Sequence, residues 1–235
     1  MIEYNLEEIL KKGIFNMTRE SIISAVEKSK IVVIMRGLTT EQLVNTVEAM
    51  YKGGIRLVEV TFDQSKKISD EQTAHNIKTL TETFEGRVLV GAGTVMSTEQ
   101  VELAHAAGAK FIISPDAYEP VIRRTVELGM VSMPGIFTPT EAANAHRWGA
   151  DFVKLFPNSE MKPSYLKALA VPLSHIRFLA VGGVNADTIA EYLSVGACGV
   201  GVATSIVNKQ SIAQGNWDDI TARALAHTRA AGLVD

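Results

Sequence analysis

The sequence has few of the features that mark secreted or membrane proteins. Its single cysteine, Cys198, excludes an internal disulfide, and the apolar neighbours of Cys198 indicate a buried thiol. No apolar run approaches the roughly 20 residues that a membrane-spanning helix requires. The amino terminus mixes acidic with apolar residues and therefore lacks the pattern of a secretory signal. We expect a cytoplasmic protein with no membrane partner.

Basic runs and metal-binding motifs are also missing. The formal net charge is −3 and residues of both signs are interspersed, so no nucleic-acid partner is expected. Asp116 and Asp151 are interpreted as turn or cap residues. The histidines lack the spacing of metal ligands, and their positions are His75, His105, His146, His175 and His227. We therefore expect neither a metal nor a cofactor.

The chain is long enough for one large hydrophobic core. It has 235 residues, of which 46% are hydrophobic and 21% charged, as is ordinary for a globular protein. An α/β barrel commonly uses this length as a single domain. We expect one domain over residues 1–235, with helices in 1–30 closing the barrel bottom, strands and helices in 31–205, and a carboxyl-terminal helix in 206–235.

Short β-branched runs alternate with helical segments such as 39–54 and 138–150, which is typical of parallel βαβ units. Several helical segments open with Thr or Asp and close with Gly, as helix caps do. The alternation predicts eight strands, over 31–36, 55–62, 87–94, 110–114, 130–135, 151–156, 177–181 and 197–202. Eight units without a long linker favour a (β/α)₈ TIM barrel over the alternative, an open doubly wound sheet.

Lys154 is the most unusual residue in a predicted strand. In DFVKLFP it shares a strand face with Phe152 and Phe156, opposite Val153 and Leu155. Active sites of such barrels lie at the carboxyl ends of the strands. Burial there lowers the pKa of a lysine and frees a neutral amine to attack a carbonyl. The alternative is a lysine that extends along the rim to solvent.

Glu59 is the second polar residue inside a predicted strand. It shares a face with Leu57 and Thr61, opposite Val58, Val60 and Phe62. A carboxyl group inside the barrel can transfer the protons that Schiff-base chemistry requires. The alternative is a structural ion pair with Lys154 or Arg36, and both roles can hold together.

Four strand ends carry groups suited to anions. Arg36 ends the first strand and Thr94 the third, where a guanidinium and a hydroxyl can bind a carboxylate. A rim salt bridge for Arg36 and a helix cap for Thr94 are the alternatives. Gly182, Gly183 and Thr204 end the last two strands, where barrels build phosphate sites. A tight turn explains the glycine pair equally well.

The motifs EVT, GAGTV, ISP, MPG, KLFP and GGV, taken in this order with Lys154, Glu59 and Arg36, resemble the KHG/KDPG aldolase family over about residues 20–210. The resemblance implies a metal-free homotrimeric barrel. It also implies a class I aldolase that cleaves 4-hydroxy-2-oxoglutarate or a 2-keto-3-deoxy-6-phospho-sugar acid to pyruvate and an aldehyde.

The resemblance implies the roles of individual residues. Lys154 corresponds to the Schiff-base lysine and Glu59 to the general acid/base. The substrate contacts implied are Arg36 and Thr94 for the carboxylate, Pro115 and Phe156 as apolar walls, and Gly182 and Gly183 for the distal phosphate.

Three departures from the family pattern concern the acceptor end of the substrate. Ala203-Thr204 stands where Gly-Ser is common, and Val181 stands where a threonine is frequent. With this valine, the chain resembles the branch of the family that acts on 2-keto-3-deoxy-6-phosphogalactonate. The segment 61–76 is longer than usual and carries Asp63 in place of an arginine.

Two other functions are compatible with the strand-end residues. A sugar-phosphate epimerase or isomerase would use Glu59 as its base, with Lys154 only as an electrostatic partner. A non-catalytic barrel that binds sugar acids would retain ligand binding without releasing pyruvate, and Ala203 and Val181 favour it slightly.

Overall fold

The computed structural model describes residues 17–234, except for the side chain of Glu160. Its strands are all parallel and form one nearly closed barrel in the order β5-β4-β3-β2-β1-β9-β8-β7-β6. The strands are β1 Ile31–Met35, β2 Leu57–Thr61, β3 Leu89–Gly93, β4 Phe111–Ile113, β5 Val131–Met133, β6 Gly135–Ile136, β7 Val153–Leu155, β8 Phe178–Val181 and β9 Ala197–Val202. The predicted TIM-barrel class is confirmed.

The predicted fifth strand is divided in two at Pro134. β5 pairs with β4, whereas β6 pairs with β7. Proline has no N–H to donate to a ladder and interrupts the strand, although its carbonyl still accepts a 2.8 Å hydrogen bond from Lys154 N. The nine strands therefore occupy the eight predicted segments.

Helices cover the outside of the barrel. Their bounds are α1 Arg19–Ser29, α2 Thr40–Lys52, α3 Asp70–Thr83, α4 Thr98–Ala106, α5 Glu119–Glu127, α6 Pro139–Arg147, α7 Pro163–Ala170, α8 Ile189–Ser194, α9 Lys209–Ala213 and α10 Trp217–Ala230. Thr39 and Thr138 form capping boxes at the starts of α2 and α6. Gly54 and Gly149 follow the same two helices with φ of 90° and 102°, a conformation that favours glycine and turns the chain back to the sheet.

The two faces of each strand contribute to different cores. The outer core lies between strands and helices and includes Val58, Val60, Val153 and Leu155. The inner core fills the barrel and includes Leu57, Phe152 and residues of the other strands. These assignments confirm the predicted faces of β2 and β7, because side chains alternate between the two sides of a strand.

Helix α1 closes the amino-terminal end of the barrel. Its Ile22, Ala25 and Val26 are buried in the inner core. Arg19 of α1 also forms an ion pair of 2.8 Å with Asp151, which precedes β7. This is the end at which helices were predicted over residues 1–30, and residues 1–16 lie outside the described residues. The predicted carboxyl-terminal helix is two helices, α9 and α10, separated by a turn at Gly215.

Candidate active site

Lys154 and Glu59 line one internal cavity from opposite sides of the barrel. Their residues are only 7% and 3% exposed, and the cavity wall between them is completed by apolar residues such as Ile113, Leu179 and Val181. The Lys154 ammonium lies 4.6 Å from the centroid of the Phe156 ring. The side chain of Lys154 therefore points into the barrel, as the sequence predicts. The alternative, in which it extends along the rim to solvent, is wrong.

Burial brings the ionisation of these two groups close to neutral pH. It raises the pKa of Glu59 to about 7, against the opposing effects of Lys154 and Arg36. Burial likewise lowers the pKa of Lys154 to about 8; the carboxylates of Glu59 and Asp116 oppose this decrease, while Arg36 adds to it. Within residues 17–234, Oε2 of Glu59 has no hydrogen-bond partner. A carboxyl group and an amine whose pKa values both lie near neutrality thus share one cavity.

Gly93 provides the space that Glu59 needs. A Cβ built on Gly93 would overlap Oε1 of Glu59, and β2 and β3 are paired at Thr61 and Gly93. Gly135 is constrained in the same way, because its Cβ would overlap the carbonyl oxygen of Pro115. Glycines of GAGTV and MPG therefore allow close approach at the strand ends.

Arg36 and Thr94 come together at the barrel mouth. Nη2 of Arg36 donates to Oγ1 of Thr94 at 3.5 Å, so these two predicted carboxylate contacts are adjacent. The helix-cap alternative for Thr94 is wrong, since Ser97 caps α4. Thr94 has a φ of 54°, in the left-handed region that β-branched residues rarely adopt.

Gly182 and Gly183 form a tight turn after β8, with φ of 109° and 72°. A Cβ on Gly182 would approach the backbone N of Asn158 to 3.0 Å, so the turn packs against the segment after β7. Thr204 is exposed in the turn after the neighbouring strand β9. Neither helix that follows begins directly at these residues, as α8 starts at Ile189 and α9 at Lys209.

The departures at the acceptor end have distinct structural roles. Val181 is buried in the inner core, and its Cγ2 would lie 2.7 Å from a Cβ on Gly201. The carboxylate of Asp63 accepts hydrogen bonds from Oγ of Ser65 at 2.7 Å and from Ser65 N and Ile68 N at 3.0 and 3.1 Å, and these bonds lower its pKa. Asp63 thus organises its own loop.

The remaining titratable residues contribute less to the cavity. Asp151 lies near the amino ends of the strands and accepts from Ser132 N at 2.9 Å. Asp116 lies in the bend before α5, whose N-cap is Tyr118. Of the histidines, His146 and His175 have ring centroids 4.9 Å apart, and Nε2 of His227 is 3.0 Å from Oγ of Ser205. In the described part of the chain, no group of three or more His, Cys, Asp or Glu could hold a metal ion.

The sequence analysis did not identify two residues near the site, Gln64 and Gln100. Nε2 of Gln64 donates to the carbonyl oxygen of Thr94 at 2.8 Å, and buried Gln100 accepts from Met96 N at 2.8 Å. The only local signal was the unusual length of the segment 61–76. The electrostatic effect of Asp116 on Lys154 had no local signal at all.

Several known proteins are similar to this chain in sequence or in fold. The family model described as KDPG and KHG aldolase matches residues 22–223. The 2-dehydro-3-deoxy-6-phosphogalactonate aldolase of Escherichia coli is 34% identical over 76% of this chain and 85% of its own. The 2-dehydro-3-deoxy-phosphogluconate aldolase of Treponema pallidum is 32% identical over 91% and 99%.

Among solved structures, the KDPG aldolase of Legionella pneumophila, with pyruvate captured as a covalent carbinolamine intermediate, superposes with a TM-score of 0.77. It is 27% identical, and the match covers 86% of this chain and 96% of that one.

Proposed function

The chain belongs to the KDPG and KHG aldolase family, and from this premise we propose that Lys154 and Glu59 perform its chemistry. The protein is a lyase, a class I aldolase that cleaves a 2-keto-3-deoxy-6-phospho-sugar acid or 4-hydroxy-2-oxoglutarate to pyruvate and an aldehyde. One observation carries the assignment of residues: a buried lysine with a lowered pKa shares its cavity with a buried glutamate.

The proposed reaction begins with binding of the 2-keto acid at the mouth. Arg36 and Thr94 hold the carboxylate, and Pro115 and Phe156 flank the three carbons of the pyruvate unit. The neutral amine of Lys154 attacks the C2 carbonyl to give a carbinolamine. Protonated Glu59 donates to the carbinolamine hydroxyl, water leaves, and a cationic iminium remains.

The cationic iminium can accept an electron pair, and this allows the C3–C4 bond to break. Ionised Glu59 removes the proton of the C4 hydroxyl, the C3–C4 bond breaks, and its electron pair forms the enamine as the aldehyde departs. Glu59 then returns its proton to C3, and hydrolysis of the iminium releases pyruvate and the free amine of Lys154. Because the pKa of Glu59 is about 7, both of its protonation states are available at neutral pH.

The test of the nucleophile is trapping. Sodium borohydride and pyruvate should add the mass of the reduced adduct to the peptide that contains Lys154. Cleavage activity should be lost in Lys154→Arg, because a guanidinium cannot form the iminium. An unlabelled Lys154 under turnover conditions, or an active Lys154→Arg enzyme, would instead support the epimerase or isomerase. Ligand binding without any pyruvate release would support the non-catalytic barrel.

The distal end of the substrate is proposed to carry a phosphate held by Gly182, Gly183 and Thr204. Val181, in which the chain resembles the branch acting on 2-keto-3-deoxy-6-phosphogalactonate, and the 34% identity to a 2-dehydro-3-deoxy-6-phosphogalactonate aldolase favour the 6-phosphogalactonate over the 6-phosphogluconate derivative as substrate. Pyruvate release coupled to lactate dehydrogenase should be measured with both acids and with their unphosphorylated forms. Equal kcat/KM with and without the phosphate would contradict the phosphate site.

We further propose that the enzyme is a cytoplasmic homotrimer that takes a small 2-keto acid as its partner. Four large apolar residues are exposed just after the strand ends, namely Met96, Tyr118, Phe137 and Phe156. Such surface is typical of protein interfaces. Light scattering should give three times the chain mass of 25.4 kDa, and Tyr118→Glu should dissociate the assembly. In the described residues, no helix is long and apolar enough to cross a bilayer.

A further inference from the structure

Thr94 occupies a backbone conformation that must be maintained by its surroundings. Its φ is 54°, and for a β-branched side chain this left-handed region is strained. Strained residues keep such a conformation only where neighbouring contacts hold them. Thr94 directly follows β3, beside Arg36, so the direction of its backbone decides where a bound carboxylate finds its hydrogen-bond donors.

Two glutamines supply those contacts. Nε2 of Gln64 donates to the carbonyl oxygen of Thr94 at 2.8 Å and is 3.3 Å from Oε1 of Gln100. Oε1 of Gln100 also accepts from the backbone N of Met96 at 2.8 Å. Nε2 of Gln100 donates to Asp70 at 3.3 Å, and this fixes the orientation of a side chain that is only 3% exposed. These hydrogen bonds therefore fix the backbone of Thr94 and of Met96, on either side of Val95.

The loop after β2 brings Gln64 to this position. Asp63 accepts hydrogen bonds from the backbone of Ser65 and Ile68, and Lys66 pairs with Asp70 at 2.7 Å. Asp70 is also the partner of Gln100. One hydrogen-bonded network thus connects the loop 63–69, the start of α3, the start of α4 and the carbonyl of Thr94.

We propose that Gln64 and Gln100 are positioning residues, which hold Thr94 in its left-handed conformation and thereby set the affinity for the substrate carboxylate. This inference rests on the proposed role of Thr94 in carboxylate binding. Neither glutamine needs to touch the substrate. Loss of either should weaken the binding of pyruvate and leave the reactivity of Lys154 at saturating pyruvate nearly unchanged.

The experiment measures borohydride trapping of Lys154 against pyruvate concentration in Gln64→Met and Gln100→Met. Methionine keeps the length of the side chain and removes its hydrogen bonds. Since a net hydrogen bond is worth about 2- to 10-fold in an equilibrium constant, half-saturating pyruvate should rise by about 5-fold in Gln64→Met and more in Gln100→Met. The trapping rate at saturation should change less than about 2-fold. Gln72→Met is the matched control, because the side chain of Gln72 donates to Asn76 within the same helix and, among the described residues, has no bond to Thr94, Met96 or Asp70.

A second background separates positioning from a general loss of structure. Glycine adopts positive φ without strain, so in Thr94→Gly the added change Gln64→Met should shift half-saturating pyruvate by less than about 2-fold relative to Thr94→Gly alone. A full shift in that background, or no shift in the original one, would overturn the proposal. Failure to label Lys154 in the unaltered enzyme would refute the proposed function instead. Because Gln64 is exposed, Gln64→Met should fold normally.

Discussion

Replacing Glu59 by glutamine should make Lys154 a stronger nucleophile at neutral pH while abolishing most of the cleavage activity. The carboxylate of Glu59 favours the charged form of Lys154, and burial opposes it. Glutamine retains the shape of the side chain and removes the charge. The pKa of Lys154 must then fall below its present value of about 8.

The size of the effect follows from the two pKa values. A lysine with a pKa of about 8 is neutral in about one molecule in ten at pH 7, against about one in 3000 for the ordinary value of 10.5. A nearby opposite charge typically shifts a pKa by about one unit or more. Without the carboxylate, about half of the Lys154 amines should therefore be neutral at pH 7, an increase of at most about five-fold, because Glu59 with a pKa of about 7 is itself only about half ionised at this pH.

Competitive labelling with a trace of acetic anhydride measures this fraction, because only a neutral amine is acylated. The extent of acetylation of Lys154 should be followed from pH 5 to pH 10 by mass spectrometry, with exposed Lys52 as the reference in the same digest. The pH at which acetylation of Lys154 reaches half of its maximum should be lower in Glu59→Gln than in the parent enzyme. Glu48→Gln, which removes a carboxylate paired with Arg87 on the outer surface, should leave it in place.

The same variant tests the division of roles. Cleavage in Glu59→Gln should fall by about 100-fold or more, the usual contribution of a general acid/base. A midpoint that is unchanged or moves to higher pH would refute the electrostatic argument. Near-normal cleavage in Glu59→Gln would refute the assignment of Glu59 as the acid/base.

Three further predictions concern the surroundings of the site and the fold. Gly93→Ala should fold but lose at least about ten-fold in kcat, because the added methyl group displaces Glu59. A melting curve tests whether the variant folds, and steady-state kinetics test the loss in kcat. Burial raises the pKa of Glu59 from 4.5 to about 7, so the folded protein loses stability as the pH rises through this range and Glu59 ionises. The melting temperature of Glu59→Gln should therefore be higher than that of the parent enzyme at pH 8 and equal to it at pH 4. Ile22→Ala should lower the free energy of unfolding by about 2–4 kcal/mol in urea titrations, since it leaves a cavity beneath the barrel. The matched change Ile23→Ala, at a partly buried position beside the inner core, should lower it clearly less.

The sequence by itself determined which segments form strands and which side chains face the barrel interior. Both depend on short-range rules: β-branched runs favour extended backbone, and a period of two sends Lys154 and Glu59 inward while Val153 and Val58 pack on helices. The caps at Thr39 and Thr138 are equally local, because each bonds to a backbone N–H three residues away.

Only the tertiary structure decided how strand ends and loops meet. The pKa of Lys154 depends on its burial and on the charges of Glu59, Arg36 and Asp116, and no local pattern specifies their distances from Lys154. Pro134 interrupts the predicted fifth strand, but only the nearly closed barrel decides that β5 pairs with β4 and β6 with β7. Gln64 reaches Thr94 across 30 positions of sequence only because parallel strands bring their carboxyl ends to one mouth.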